Sequence, residues 1–208
     1  MTVGILGGTG SAKSSLVQLI PRLYDATIGT VKVGGVDVRQ YDVEKLREEV
    51  AMVLQKNVLF SGTIKENLRW GDPNATDEEM QRVCRLAHAD EFIQTFPDGY
   101  DTYIEQGGSN VSGGQKQMVN LASVMAMAPE VLILDEPTSM LDPLAARNLL
   151  QAVKRINREL GVAVILCEHR LEEVFQDADR VIVMDKGQIC RSGSPRQVAA
   201  ELEQELED

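Results

Sequence analysis

Residues 7–15 read GGTGSAKSS, directly after the short apolar run Val3–Leu6 and directly before Leu16, Leu19, Ile20 and Leu23, apolar residues at helical spacing. Few folds accommodate a strand, a glycine-rich turn and a helix that opens on a lysine and two hydroxyls. Glycine-rich backbone lets several N–H groups turn inward onto one anion, and the following helix aims its positive end at the same point. With Lys13–Tyr24 read as that helix, Lys13 is placed to reach phosphate oxygens and Ser14 to offer its hydroxyl to Mg²⁺.

The segment matches the P-loop pattern G-x-x-x-x-G-K-[ST] through Gly7, Gly8, Thr9, Gly10, Ser11, Lys13, Ser14 and Ser15, and departs from it at Ala12, where glycine is required. If φ at that position is positive, the alanine Cβ costs about 1–2 kcal/mol. If the residue is already right-handed helical, the alanine is nearly harmless. A second chemical run is VLILDEP at 131–137, an apolar strand ending in two carboxylates. Burial of the strand fixes Asp135, which can hold Mg²⁺, while Glu136 can accept a proton from attacking water.

The rest of the chain alternates strand and helix signals. TVKVGGVDV at 30–38 alternates about Gly34-Gly35 and predicts a hairpin; Val43–Val50 predicts a helix and Ala51–Leu54 a buried strand. Between about 63 and 127 there are helices and loops but no core strand, with capping boxes at Thr76/Glu79 and Ser112/Gln115. Apolar strands return at Val131–Leu134, Val162–Leu166 and Val181–Met184, with helices from Asp142-Pro143, around Arg170 and from Ser194-Pro195. Such spacing predicts an α/β fold with a mostly parallel sheet covered by helices on both faces. The expected organisation is one domain, with a core from 1–55 and 128–208 and an inserted helical subdomain over 56–127.

The formal charge of −11, from 21 basic and 32 acidic residues, argues against a broad nucleic-acid surface. Cys84, Cys167 and Cys190 are far apart and without CxxC spacing, so neither a disulfide framework nor a zinc site is expected. No run approaches the roughly 18 apolar residues of a spanning helix, which predicts a cytoplasmic chain that reaches a membrane only through another protein.

VSGGQKQ at 111–117 adds Ser112, Gly113, Gly114 and Gln115 ahead of a helix, a second backbone anion cradle or a plain helix cap. Taken in order, the P-loop, Gln55, SGGQ, LILDE, SMLD at 139–142 and His169 resemble the ATP-binding-cassette (ABC) ATPases over essentially the whole chain. The resemblance implies a P-loop NTPase that binds ATP and Mg²⁺. It implies a head-to-tail dimer with a second such subunit, in which the SGGQ of one subunit closes on the nucleotide of the other. It also implies a membrane-spanning partner at the inner face of the cell membrane, with no contact to nucleic acid. Within it Glu136 and His169 match the catalytic carboxylate and switch histidine, Asp142 matches the loop that crosses the interface, and Ser14, Gln55 and Asp135 match the metal shell.

Two departures accompany the resemblance. Only Met1–Leu6 precede Gly7, so the family's upstream antiparallel strand and its adenine-stacking aromatic are expected to be missing. Residues up to about 117 resemble the exporter branch, whereas 121–150 and 167–189 resemble importers of the energy-coupling-factor type. That change of style implies an engineered or recombined chain with weak or no ATPase activity as the alternative to a transporter motor.

Overall fold

In the computed structural model, residues 1–56, 58–170, 175–176 and 178–207 are described. In chain order the elements are β1 (Thr2–Leu6), α1 (Lys13–Gln18), β2 (Lys32–Val33), β3 (Val36–Asp37), α2 (Val43–Glu49), β4 (Val50–Val53), β5 (Gly62–Thr63), α3 (Ile64–Leu68), α4 (Asp77–Leu86), α5 (Asp90–Ile93), β6 (Tyr103–Ile104) and α6 (Gly113–Ala126). They continue with β7 (Val131–Asp135), α7 (Pro143–Leu160), β8 (Ala163–Glu168), β9 (Arg180–Asp185), β10 (Gln188–Gly193) and α8 (Pro195–Glu207). Backbone packing groups Met1–Met52, Val131–Glu136 and Ala163–Asp208 in one compact unit, and Val53–Glu130 with Pro137–Val162 in another.

The six-stranded sheet has the order β10-β9-β1-β8-β7-β4. β1 pairs in parallel with both β8 and β9, β7 pairs in parallel with β8, and β10 runs antiparallel to its neighbour β9. This is the mostly parallel P-loop NTPase arrangement. Ile5, Ile133, Cys167 and Met184 from the strands pack with Val17 of α1 and Leu46 of α2 in one apolar core. Each is buried, so the C-terminal ends of β1 and β7 are held by packing as well as by ladder hydrogen bonds.

Several expectations shift. The first helix ends at Gln18 rather than Tyr24: Leu23 N–H reaches back to the Gln18 carbonyl, and Arg22 sits at φ 54°, a left-handed value that turns the chain away. β4 begins one residue early and β8 runs Ala163–Glu168, carrying the strand past Leu166. β10 has no counterpart in the sequence reading. The helix expected around Arg170 falls largely on residues outside those described. The hairpin at Gly34-Gly35 forms, with φ of 57° and 82°, values that glycine adopts without a Cβ penalty.

The second unit is helical, apart from the short β5–β6 pair. α6 carries the core of this unit through Met118, Val119, Leu121, Ala122 and Met125. The Ser123 hydroxyl donates to the Asn67 carbonyl at the end of α3. Both capping boxes read from the sequence are closed, at Thr76/Glu79 before α4 and at Ser112/Gln115 before α6. All three cysteines are free thiols, and burial pushes Cys84 up to about 12.

Candidate functional site

Between β1 and α1 the backbone turns sharply, and two different constraints fix its glycines. A Cβ on Gly7 would overlap the Ser11 hydroxyl and the Met184 carbonyl, so that position needs space; Gly10, with φ 81° and open surroundings, needs conformational freedom. Ala12 stands at φ 69°, ψ 24° immediately before α1, the strained of the two alternatives left by the sequence. Gly8 and Thr9 lie exposed on the same turn, as does Ser15 on the first turn of α1.

Lys13 is buried, with its side chain 3% exposed, and its ammonium donates to the Gly7 carbonyl at 2.7 Å. Glu136 Oε1 lies 3.3 Å from that ammonium and 2.7 Å from His169 Nε2. The other imidazole nitrogen of His169, Nδ1, faces the Gly7 carbonyl at 2.9 Å. Nδ1 also lies 3.3 Å from the Lys13 ammonium, so Lys13 and His169 meet at the Gly7 carbonyl while Glu136 Oε1 joins the two side chains. The Ser14 hydroxyl donates to Asp135 Oδ1 at 3.0 Å. Burial raises the Asp135 carboxyl above its ordinary range, with the nearby Glu136 charge acting the same way and the Ser14 hydrogen bond and Lys13 opposing.

Glu136 closes β7 at φ 49°, a left-handed value for a side chain that favours neither turn nor cap. Its N–H donates to the Cys167 carbonyl at 3.0 Å, the last bond of the parallel β7–β8 ladder. The sequence reading singled out Cys167 only as a thiol, and its backbone role had no signal there. Among the described residues the buried Ser11 hydroxyl has no hydrogen-bond partner, an orphan polar group in a loop otherwise shaped to meet an anion.

These groups fit a triphosphate with Mg²⁺. The adjacent hydroxyl and carboxylate of Ser14 and Asp135 are oxygen ligands of the kind that cation takes. Among the described residues no group of three or more His, Cys, Asp or Glu is arranged to hold a metal.

The remaining predicted residues lie in the second unit. Ser112 caps α6 and exchanges hydrogen bonds with Gln115, Oε1 accepting from Ser112 N–H at 2.9 Å and Ser112 Oγ from Gln115 N–H at 3.2 Å. A Cβ on Gly114 would come within 2.9 Å of the Ala145 methyl, whereas Gly113 has ordinary clearance. Asp142 caps α7, its Oδ1 accepting from Leu144 and Ala145 N–H at 3.0 Å each. Ser112, Gly114, Gln115 and Asp142 line a common cavity of about 450 Å³ together with His88 and Glu91. The Gln55 amide donates to the Ser139 hydroxyl at 3.3 Å.

The family profile described as "ABC transporter" matches residues 1–139, and one described as "P-loop domain" matches 73–207. The chain belongs to the ABC transporter family. It is 39% identical, over 96% of its length, to an uncharacterized ABC transporter ATP-binding protein of Bacillus subtilis, and 42% identical over 93% to a putative multidrug export ATP-binding/permease protein of the same organism. A bacterial Atm1-family ABC exporter solved with ATP bound superposes with a TM-score of 0.88 at 30% identity, covering 96% of this chain and 34% of that one. The chain spans about one third of the length of the curated relatives, 32% and 33% for the two from Bacillus. These alignments run through the segment after residue 117, so the expected switch to an importer-like half, and with it a recombined origin, finds no support.

Proposed function

We propose that this chain is the ATP-binding and ATP-hydrolysing part of an exporter, and that it drives a membrane-spanning partner from the cytoplasmic side. The observation that carries the reading is the cluster in which Lys13 and His169 meet at the Gly7 carbonyl and Glu136 Oε1 joins them, with Ser14 hydrogen-bonded to Asp135 alongside. The loop from Gly7 to Ser15 takes the phosphates and Lys13 supplies the charge. Ser14 and Asp135 would hold Mg²⁺, which when bound would neutralise charge on the phosphate oxygens. Glu136 accepts the proton of the attacking water, and His169 fixes the carboxylate through Nε2.

The cavity shared by Ser112, Gln115 and Asp142 is assigned to the nucleotide of a second, head-to-tail subunit. For the membrane partner the support is apolar surface on the second unit: Phe60 and Trp70 stack with centroids 4.8 Å apart yet stay 53% and 67% exposed, near the equally exposed Val58. Among the described residues no helix is long and apolar enough to cross a membrane. Calorimetry with MgATP on the chain and on Lys13→Ala tests the assignment: binding is lost in the variant, and unchanged affinity would end it. Specific activity that rises with protein concentration supports the dimer, and strictly linear activity would count against it.

A further inference from the structure

We infer that the helical unit carries a site for an amphiphilic anion, a phosphate monoester with a short apolar tail, whose head is held by Arg82 and Arg85 and whose tail enters the cleft between α4, α6 and α7. The inference does not rest on the nucleotide reading, and all its residues belong to the second compact unit. Two cavities meet there. One, of about 420 Å³, has Arg82, Arg85 and Arg155 in its wall. The other, of about 290 Å³, is lined by Val83, Met125, Pro129 and Val162, all of them buried. Both are also lined by Arg82, Leu86 and Leu160, so the basic cavity abuts the apolar one along a common wall. A charged mouth beside a slot of hydrocarbon matches a ligand built the same way.

The carboxylates around these cavities are already engaged. Asp90 accepts from the Tyr100 hydroxyl at 2.6 Å, Glu159 from Arg155 Nε at 2.7 Å, and Glu91 Oε1 faces His88 Nδ1 at 3.5 Å. On the apolar side Asp72 accepts from Asn74 N–H at 2.8 Å and Glu79 from Thr76 N–H at 2.7 Å. Arg82 and Arg85 are left over: neither guanidinium makes a hydrogen bond or an ion pair among the described residues. They stand three residues apart on one face of α4, where Cβ atoms lie roughly 5–6 Å from each other and like charges repel. The helix dipole favours a cation in the last turn of α4, which accounts for Arg85 but not for Arg82 before it. Two uncompensated guanidinium forks match the charge of about −1.5 to −2 on a phosphate monoester, which they can grip bidentately. The wall is also tied before any ligand arrives, because Arg155 Nη1 donates across from α7 to the Arg85 carbonyl at 3.3 Å. Little ordering of the backbone is then required on binding.

The test titrates butyl, hexyl and octyl phosphate, with octanol as the uncharged control, into the chain, into Arg82→Gln/Arg85→Gln and into Arg69→Gln, following methyl NMR signals. Signals of Val83, Met125 and Val162 are expected to shift, and each added pair of methylenes to tighten binding about tenfold. The double variant weakens octyl phosphate at least tenfold and leaves octanol within twofold, whereas Arg69→Gln, on an arginine that lines neither cavity, changes neither. Both arginines are exposed, so the double variant is expected to keep its fold, and its unperturbed spectrum checks this. Octyl phosphate and octanol binding alike, affinity independent of tail length, parent affinity in the double variant, or shifts confined to residues outside the cleft would each overturn the inference.

Discussion

His169 Nε2 lies 2.7 Å from Glu136 Oε1, and that same oxygen lies 3.3 Å from Lys13 Nζ. One carboxylate oxygen thus faces both the Lys13 ammonium and the His169 ring. Because Glu136 is only 13% exposed and leaves the β7 ladder at φ 49°, its position is set by backbone and neighbours together.

Replacing Glu136 by Gln keeps the shape and the Lys13 contact but removes the proton acceptor. Phosphate release in Glu136→Gln is expected to fall by about 10²–10⁴, with ATP affinity within about threefold. Single-turnover hydrolysis beside equilibrium binding checks this; hydrolysis at the parent rate would remove Glu136 as the base.

Asp135 gives a pH prediction with a definite sign. Its folded-state pKa is raised, chiefly by burial, so the folded chain binds this proton more readily than the unfolded chain does. The ionised carboxylate therefore opposes folding at neutral pH, and that penalty disappears as pH falls through the raised folded pKa toward the unfolded one. Asp135→Asn is expected to raise Tm by a few degrees at pH 7 and to converge with the parent in acid, while losing the Mg²⁺ requirement of nucleotide binding. A Tm difference independent of pH would contradict it.

Packing in the second unit has its own test at Gly71. A Cβ there would overlap the Ser123 carbonyl on α6, a backbone atom that cannot swing aside. Gly71→Ala is expected to cost about 1–3 kcal/mol by urea unfolding. Gly107→Ala, which meets no atom within 4 Å but has φ 69°, reports backbone strain without overpacking.

Motif residues were legible because their chemistry is local: a glycine turn before a lysine, two carboxylates ending an apolar strand, and Ser112 and Asp142 as helix caps each announce themselves within a few residues. β10 was not, since QICRSG is exposed or half-exposed along its whole length and shows no apolar alternation. Nor was the end of α1, where apolar spacing continues to Leu23 although Pro21 and the left-handed Arg22 break the helix. The left-handed backbone at Glu136, where the chain leaves the β7–β8 ladder after its bond to the Cys167 carbonyl, is encoded by no local pattern.

Ala12 is the position where the structure decides between two expectations. At φ 69° its Cβ carries about 1–2 kcal/mol of left-handed strain that glycine avoids. In Ala12→Gly the relief is offset by the larger backbone entropy of glycine in the unfolded chain, about 0.4–1 kcal/mol, so global stability is expected to move by less than about 1 kcal/mol. Binding is affected differently, because strain borne by the closed phosphate loop lowers the fraction of molecules in the competent conformation, and apparent affinity falls with that fraction. Ala12→Gly is therefore expected to bind MgATP about 5- to 30-fold more tightly and to raise turnover at subsaturating ATP, with nearly unchanged urea unfolding. Calorimetry, phosphate release and unfolding on the two proteins separate these effects. Equal ATP affinity would show that the left-handed alanine is carried without cost to the loop, and a large stability gain without tighter binding would place the strain outside the nucleotide site.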